Sequence, residues 1–168
     1  MQDYGLVSVI MPTYNCGGFI AESIRSVQAQ TYQNWEVIIV DDCSKDGTFA
    51  VVEPLMRDDK RIKYFSNSYN SGAAVTRNAA LRQANGRWIA FLDSDDLWKP
   101  EKLEHQLLFM VENNSHFSYH EYDEIDEDGK LNGVSVSGPR KVTKAGMYAF
   151  CWPSCRRNRC VEYRRVLG

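Results

Sequence analysis

The chain has 168 residues, 43% of them hydrophobic and 25% charged, with a formal net charge of −2. That length is enough for one domain with a real core, and the composition is ordinary for a soluble globular protein. The near-neutral balance excludes a global pull toward nucleic acid or anionic membrane, and no apolar run approaches the length of a membrane span.

The first strand is read at Leu6-Val7-Ser8-Val9-Ile10-Met11, a β-branched run ended by Pro12. A loop follows at residues 12–15. Gly17-Gly18 then opens a helix to about Ala29, with Ile20, Ile24 and Val27 at helical spacing. Residues 35–40 are the second strand, which delivers Asp41 and Asp42 into the turn-rich residues 43–48. A short helix is expected over 49–56 despite Pro54, and a third strand over 61–65. Residues 67–72 read as a polar loop. Residues 73–84 predict a helix with Val75, Ala79 and Leu81 inward, stopped by Asn85-Gly86.

The next stretch is the most informative. Trp88-Ile89-Ala90-Phe91-Leu92 is a continuous apolar run, as in a strand buried on both faces of a parallel sheet. It leads directly into Asp93-Ser94-Asp95-Asp96. Ligands bind at the carboxyl ends of strands in open α/β sheets. Three close carboxylates repel one another unless a cation offsets them, and their oxygens suit Mg²⁺ or Mn²⁺ shared with a phosphate. The plain alternative is a solvated acidic turn that caps the next helix. Pro100 opens that helix, with Glu101 and Glu104 in its first turns and Leu103, Leu107, Met110 and Val111 as its apolar stripe. A further strand is expected over 116–122, a hairpin-like turn at 127–130, and an exposed strand around Val134 and Val136.

Strand and helix alternate from residue 6 to about 112, which predicts a parallel, doubly wound α/β sheet. Two of its strands then bring carboxylates to one edge. Residues 156–168 differ: five arginines stand against one glutamate, with no clear period. Cys16, Cys43, Cys151, Cys155 and Cys160 are odd in number and scattered, which fits reduced thiols. No paired CxxC spacing or nearby His supports zinc at the last three. The N-terminus has no basic region followed by an apolar core, so no signal peptide is read.

Four segments together resemble family 2 glycosyltransferases. They are Val9-Ile10-Met11-Pro12-Thr13-Tyr14-Asn15, Val40-Asp41-Asp42-Cys43-Ser44-Lys45-Asp46-Gly47-Thr48, Asn70-Ser71-Gly72-Ala73-Ala74-Val75-Thr76-Arg77-Asn78 and Phe91-Leu92-Asp93-Ser94-Asp95-Asp96. The resemblance implies a Rossmann-like GT-A domain over residues 1–155, with a mostly parallel central sheet and helices on both faces, and an atypical or truncated tail over 156–168. It implies an inverting transfer from a nucleotide-sugar donor, with UDP-sugar favoured, to a saccharide or lipid-linked acceptor. The nucleotide-binding residues it implies are Pro12, Tyr14, Asp42, Arg77, Asp93 and Ser94. Tyr14 would stack on the base, Asp42 would accept its N–H, and Arg77 would meet the base or diphosphate. Asp93 and Asp95 would hold a divalent cation, Mn²⁺ or Mg²⁺, in the family's DxD motif. No nucleic-acid partner is implied, and the location expected is cytoplasmic, peripheral to the inner face of a membrane.

The sequence departs from the family at the general base, which lies in such proteins beyond about residue 170. No member of the acidic run at 121–128 takes its place. Two readings therefore compete with an active transferase: a non-catalytic nucleotide-binding module that keeps the donor fold, and a nucleotidyltransferase. Pro12-Thr13-Tyr14-Asn15-Cys16 is not the glycine-rich basic loop of the latter.

Overall fold

The computed structural model describes residues 2–136 and the backbone of 162–165. The proposed boundary between residues 155 and 156, and Cys151, Cys155 and Cys160, lie outside the described residues. The chain forms two units, Met1–Asp96 and Leu97–Gly168.

The first unit runs β1 (Val7–Thr13), α1 (Ile20–Gln28), β2 (Trp35–Asp41), α2 (Thr48–Asp58), β3 (Ile62–Ser66), α3 (Ala73–Leu81) and β4 (Trp88–Phe91). Its sheet has the order β3-β2-β1-β4, with every neighbouring pair parallel. The central strands β1 and β2 are buried along their whole length. Ile10, Ile38 and Val40 pack against Ala80 of α3, with Ala79, Leu81 and Ala84 beside them. Alternate residues Val9, Met11, Val37 and Ile39 turn to the other face and are equally buried. Helices α1 and α2 pack on each other and bury Ile20, Ile24, Val27 and Val52.

Three expectations are corrected here. Strand β1 does not stop at Pro12 but continues to Thr13. The Ile10 carbonyl accepts the Leu92 N–H on the β4 side, and the Thr13 carbonyl accepts the Asp42 N–H on the β2 side. By alternation the Pro12 nitrogen faces the β4 side, past the last residue of β4, so its missing N–H costs no ladder bond. Second, β4 is not buried on both faces: it is an edge strand, and Ile89 and Phe91 are 42% and 51% exposed. Third, α3 turns Thr76 and Ala80 inward, while Val75 is exposed. Small inward residues let the helix lie close to the sheet.

The opposite end of the sheet is tied by a buried carboxylate. Glu36 accepts from Ser8 Oγ at 2.6 Å, Lys63 Nζ at 2.7 Å and the Asn85 N–H at 2.9 Å. Burial pushes its carboxyl up, but those three donors outweigh the burial and hold it below the usual range. Ser8 Oγ in turn accepts the Gly86 N–H at 2.8 Å. A Cβ on Gly86 would lie 2.6 Å from the Ser8 nitrogen, so only glycine fits this return into β4.

The second unit holds β5 (Leu97–Trp98), α4 (Lys102–Glu112), β6 (Tyr122–Ile125), β7 (Leu131–Val136) and β8 (Glu162–Arg165), with sheet order β5-β8-β6-β7. Strand β6 begins at Tyr122, later than the 116–122 expected. It joins β7 through the predicted turn, where Asp126 Oδ1 accepts the Lys130 N–H. Helix α4 buries Lys102, Leu103 and Leu107, whereas Val111 is exposed. Four residues of the arginine-rich tail form β8, parallel to β6 and antiparallel to β5. The absence of a hydrophobic period did not prevent this, because strand pairing is made by backbone groups that every non-proline residue carries.

Candidate functional site

The loops at the carboxyl edge of the first sheet enclose a cavity of about 430 Å³, a size that suits a small-molecule ligand. Pro12, Tyr14, Asp42, Arg77, Asp93, Ser94 and Asp95 all line it. They come from the end of β1 and the loop after it, the loop after β2, helix α3 and the loop after β4, and the parallel topology gathers them.

Tyr14 is 51% exposed at the cavity, and the backbone that follows it explains why. The Asn15 N–H donates to Ser44 Oγ and the Lys45 N–H to Asn15 Oδ1, both at 2.8 Å. The Cys16 N–H donates to Thr48 Oγ1 at 3.1 Å and the Gly17 N–H to Asp46 Oδ2 at 2.8 Å. Asn15 itself adopts a left-handed φ of 49°, a conformation asparagine tolerates better than most residues. The loop after β1 is thereby stitched to the loop after β2, and the Tyr14 ring is displayed rather than packed.

Asp41 and Asp42 separate in role. Asp41 accepts from Ser44 N–H and Oγ and from Tyr64 Oη at 2.6 Å, so it is the residue that caps the turn. Asp42, 3% exposed, faces the cavity. Its Oδ1 accepts from Asn67 Nδ2 and the Ser71 N–H, both at 2.8 Å, and its Oδ2 from the Gly72 N–H at 2.7 Å. Burial pushes the Asp42 carboxyl up; hydrogen bonds led by those from Asn67, Ser71 and Gly72 outweigh that and hold it below the usual carboxylate range. Two of these donors are backbone groups at the start of α3, where the helix dipole also favours an anion. Gly72 caps α3 at φ 84°, ψ 158°, a region that is essentially glycine's alone.

Arg77 and Asp93 form an ion pair, with Nη2 to Oδ1 at 2.6 Å. Both side chains are partly exposed, so the pair adds little stability, yet it keeps a cation and a carboxylate together at the cavity wall. Ser94 is buried, and its carbonyl accepts from Ser23 Oγ of α1 at 2.9 Å and from Cys16 Sγ at 3.3 Å. Asp95 lines the cavity; Asp96 is buried, and its N–H donates to the Asp93 carbonyl at 3.1 Å. Sequence reasoning missed Asn67, Ser71, Gly72 and Thr76 around Asp42, and Cys16 and Ser23 behind Ser94. The polar composition of residues 67–72 was the available signal, but polar loops are common and their partners are remote.

Among the described residues no three His, Cys, Asp or Glu side chains gather into a metal cage. The donor set still fits a hard divalent ion of the kind held by one or two carboxylates together with phosphate oxygens, since Asp93 and Asp95 line the same cavity.

A family model described as glycosyl transferase family 2 matches residues 8–153. The chain belongs to that family. It is 47% identical over 156 residues to the Escherichia coli protein named UDP-Glc:alpha-D-GlcNAc-diphosphoundecaprenol beta-1,3-glucosyltransferase WfgD, covering 92% of this chain and 59% of the relative. A second Escherichia coli protein with the same activity in its name, WfaP, is 41% identical over 150 residues, covering 89% of this chain and 58% of the relative. The chain thus spans less than two thirds of the length of these curated relatives. Among solved structures, residues 1–349 of Staphylococcus aureus TarS in complex with UDP-GlcNAc match with a TM-score of 0.64 at 34% identity, over 82% of this chain and 38% of that one. The Pyrobaculum calidifontis mannosyltransferase PcManGT, in complex with GDP-Man and Mn²⁺, matches with a TM-score of 0.61 at 26% identity, over 73% and 36%. The first unit of this family 2 chain therefore has the α/β architecture of the GT-A glycosyltransferases.

Proposed function

We propose that the chain carries the donor half of an inverting glycosyltransferase that takes a UDP-sugar and passes the sugar to a saccharide on a lipid carrier. The observation that carries this reading is the convergence of Tyr14, Asp42, Arg77, Asp93 and Asp95 on one cavity at the carboxyl edge of the sheet. The names of WfgD and WfaP, with UDP-glucose and a diphosphoundecaprenol acceptor, support the donor and acceptor classes. Among the described residues no helix is long and apolar enough to cross a membrane. In this proposal a lipid-linked acceptor, of the class named for WfgD and WfaP, is met at the inner membrane face from the cytoplasmic side.

In this reading the Tyr14 ring stacks on the base and Asp42 accepts its N–H. Departure of the nucleoside diphosphate leaves negative charge on phosphate oxygens. Arg77 lies at the cavity wall where it can offset that charge, once Asp93 is engaged by the ribose or a cation. Asp93 and Asp95 are the residues that would hold Mn²⁺ or Mg²⁺, which when bound supplies Lewis-acid stabilisation of the diphosphate. The base that takes the acceptor hydroxyl's proton is proposed to lie in sequence that follows the donor half in longer relatives.

The test is thermal stabilisation by nucleoside diphosphates with Mn²⁺. UDP should raise the melting temperature more than ADP or CDP, because neither adenine nor cytosine offers a ring N–H where uracil has N3–H. Equal or greater stabilisation by ADP overturns the uridine reading. Assays of transfer and of donor hydrolysis then separate an active donor half from a module that binds without reacting.

A further inference from the structure

A carboxylate offers about four acceptor positions, and at Asp42 three are filled from within the first unit. Asn67 and the Ser71 N–H occupy Oδ1, and the Gly72 N–H occupies one side of Oδ2. The Thr76 hydroxyl stands beside the same carboxylate but donates to the Gly72 carbonyl at 2.9 Å. Those three donors leave one position, on Oδ2, of a carboxylate that lines the cavity.

Two of the three donors are backbone groups and cannot be changed by substitution. The third, Asn67, is fixed with unusual completeness. One Nδ2 hydrogen goes to Asp42 Oδ1 and the other to Thr76 Oγ1 at 3.1 Å. The amide cannot rotate end for end, because its oxygen would then face a carboxylate that only accepts. The backbone is tied too: the Asn67 N–H donates to the Asp41 carbonyl at 2.8 Å, and Cys43 Sγ donates to the Asn67 carbonyl at 3.0 Å. Thr76 is buried and its hydroxyl proton is spent on Gly72, so it presents only a lone pair to Asn67.

We propose that Asn67, locked by Thr76, is a specificity-determining positioning residue that fills Asp42 until it can accept one N–H from a nucleobase and not two. Uracil presents a single ring N–H between two carbonyls. Guanine presents a ring N–H and an amino N–H side by side, which a carboxylate receives with both oxygens. A filled Oδ1 therefore favours uridine over guanosine nucleotides. The fold alone does not make this choice, since the matching structures include one with UDP-GlcNAc and one with GDP-Man. The proposal rests on the reading of this cavity as a uridine nucleotide site.

The experiment is titration calorimetry of the full chain with UDP and with GDP at fixed Mn²⁺. The wild-type chain should prefer UDP by about tenfold or more, the size of one good hydrogen bond to a charged group. Asn67→Ala opens Oδ1, and the UDP-to-GDP affinity ratio should shrink by about tenfold. Thr76→Val removes the lock and should shrink the ratio in the same direction, whereas Thr76→Ser keeps the hydroxyl and should restore it. The Thr76 pair carries the test should Asn67→Ala fail to fold. An unchanged ratio in Asn67→Ala and Thr76→Val, or an equal loss for both nucleotides, overturns the role of Asn67. A wild-type chain that binds UDP and GDP equally overturns the uridine reading itself, before any variant is made.

Discussion

Asp41 and Asp42 are neighbours of identical chemistry with different work. One closes the turn after β2 and the other lines the cavity, and the difference lies in which donors the surrounding loops bring to each. The same contrast governs Asp95 and Asp96. Asp95 lines the cavity and Asp96 is buried in the turn behind it. Asp95→Ala is expected to remove most of the gain in UDP affinity that Mn²⁺ provides, about tenfold or more. Asp96→Ala should lower the melting temperature while keeping that gain within about threefold. Calorimetry with and without Mn²⁺ measures both. The opposite pattern would put the metal contact one residue later than proposed.

At the scale of elements, the donor cavity depends on how β1, β2 and α3 are held. The loop over residues 14–19 is stitched to the loop after β2, and Asp42 is bonded to the backbone at the start of α3. The far end is held by Glu36, Ser8 and the tight return at Gly86. Gly86→Ala forces a Cβ to 2.6 Å from the Ser8 nitrogen and 2.8 Å from the Leu6 carbonyl, against backbone that cannot give way. The expected cost is about 2–3 kcal/mol of unfolding free energy, read by urea denaturation. Because Gly86 lies at the end of the sheet opposite the cavity, UDP affinity of the folded fraction should stay close to wild type. A loss of less than about 0.5 kcal/mol would show that the return is not closely packed.

For the whole molecule, every cavity residue belongs to the first unit, and the arginine-rich end belongs to the second. Deleting residues 156–168 should therefore leave UDP binding within a few-fold, about threefold to fivefold at most. It should also expose β5 and β6, since β8 lies between them in the second sheet. Hydrogen exchange at β6 amides should accelerate in the shortened chain, because their β8 partners are gone. A loss of UDP affinity well beyond about tenfold would show that the tail acts on the donor cavity.

The alternation of strands and helices was legible in the sequence, because hydrophobic period and turn residues are local properties. So were the carboxylates at two strand ends, and the family resemblance added Pro12, Tyr14, Arg77 and Ser94 to the residues that line the cavity. The family resemblance had already singled out Asp42 rather than Asp41 and Asp95 rather than Asp96; tertiary structure alone decided that Arg77 meets Asp93 and that Asn67 fills Asp42. These partners stand 16 and 25 residues apart, and sheet order rather than local pattern brings them within hydrogen-bond reach. The exposure of β4 was hidden for the same reason. An apolar run of four or five residues reads alike at the centre of a sheet and at its edge, and only the pairing of the other strands tells the two apart.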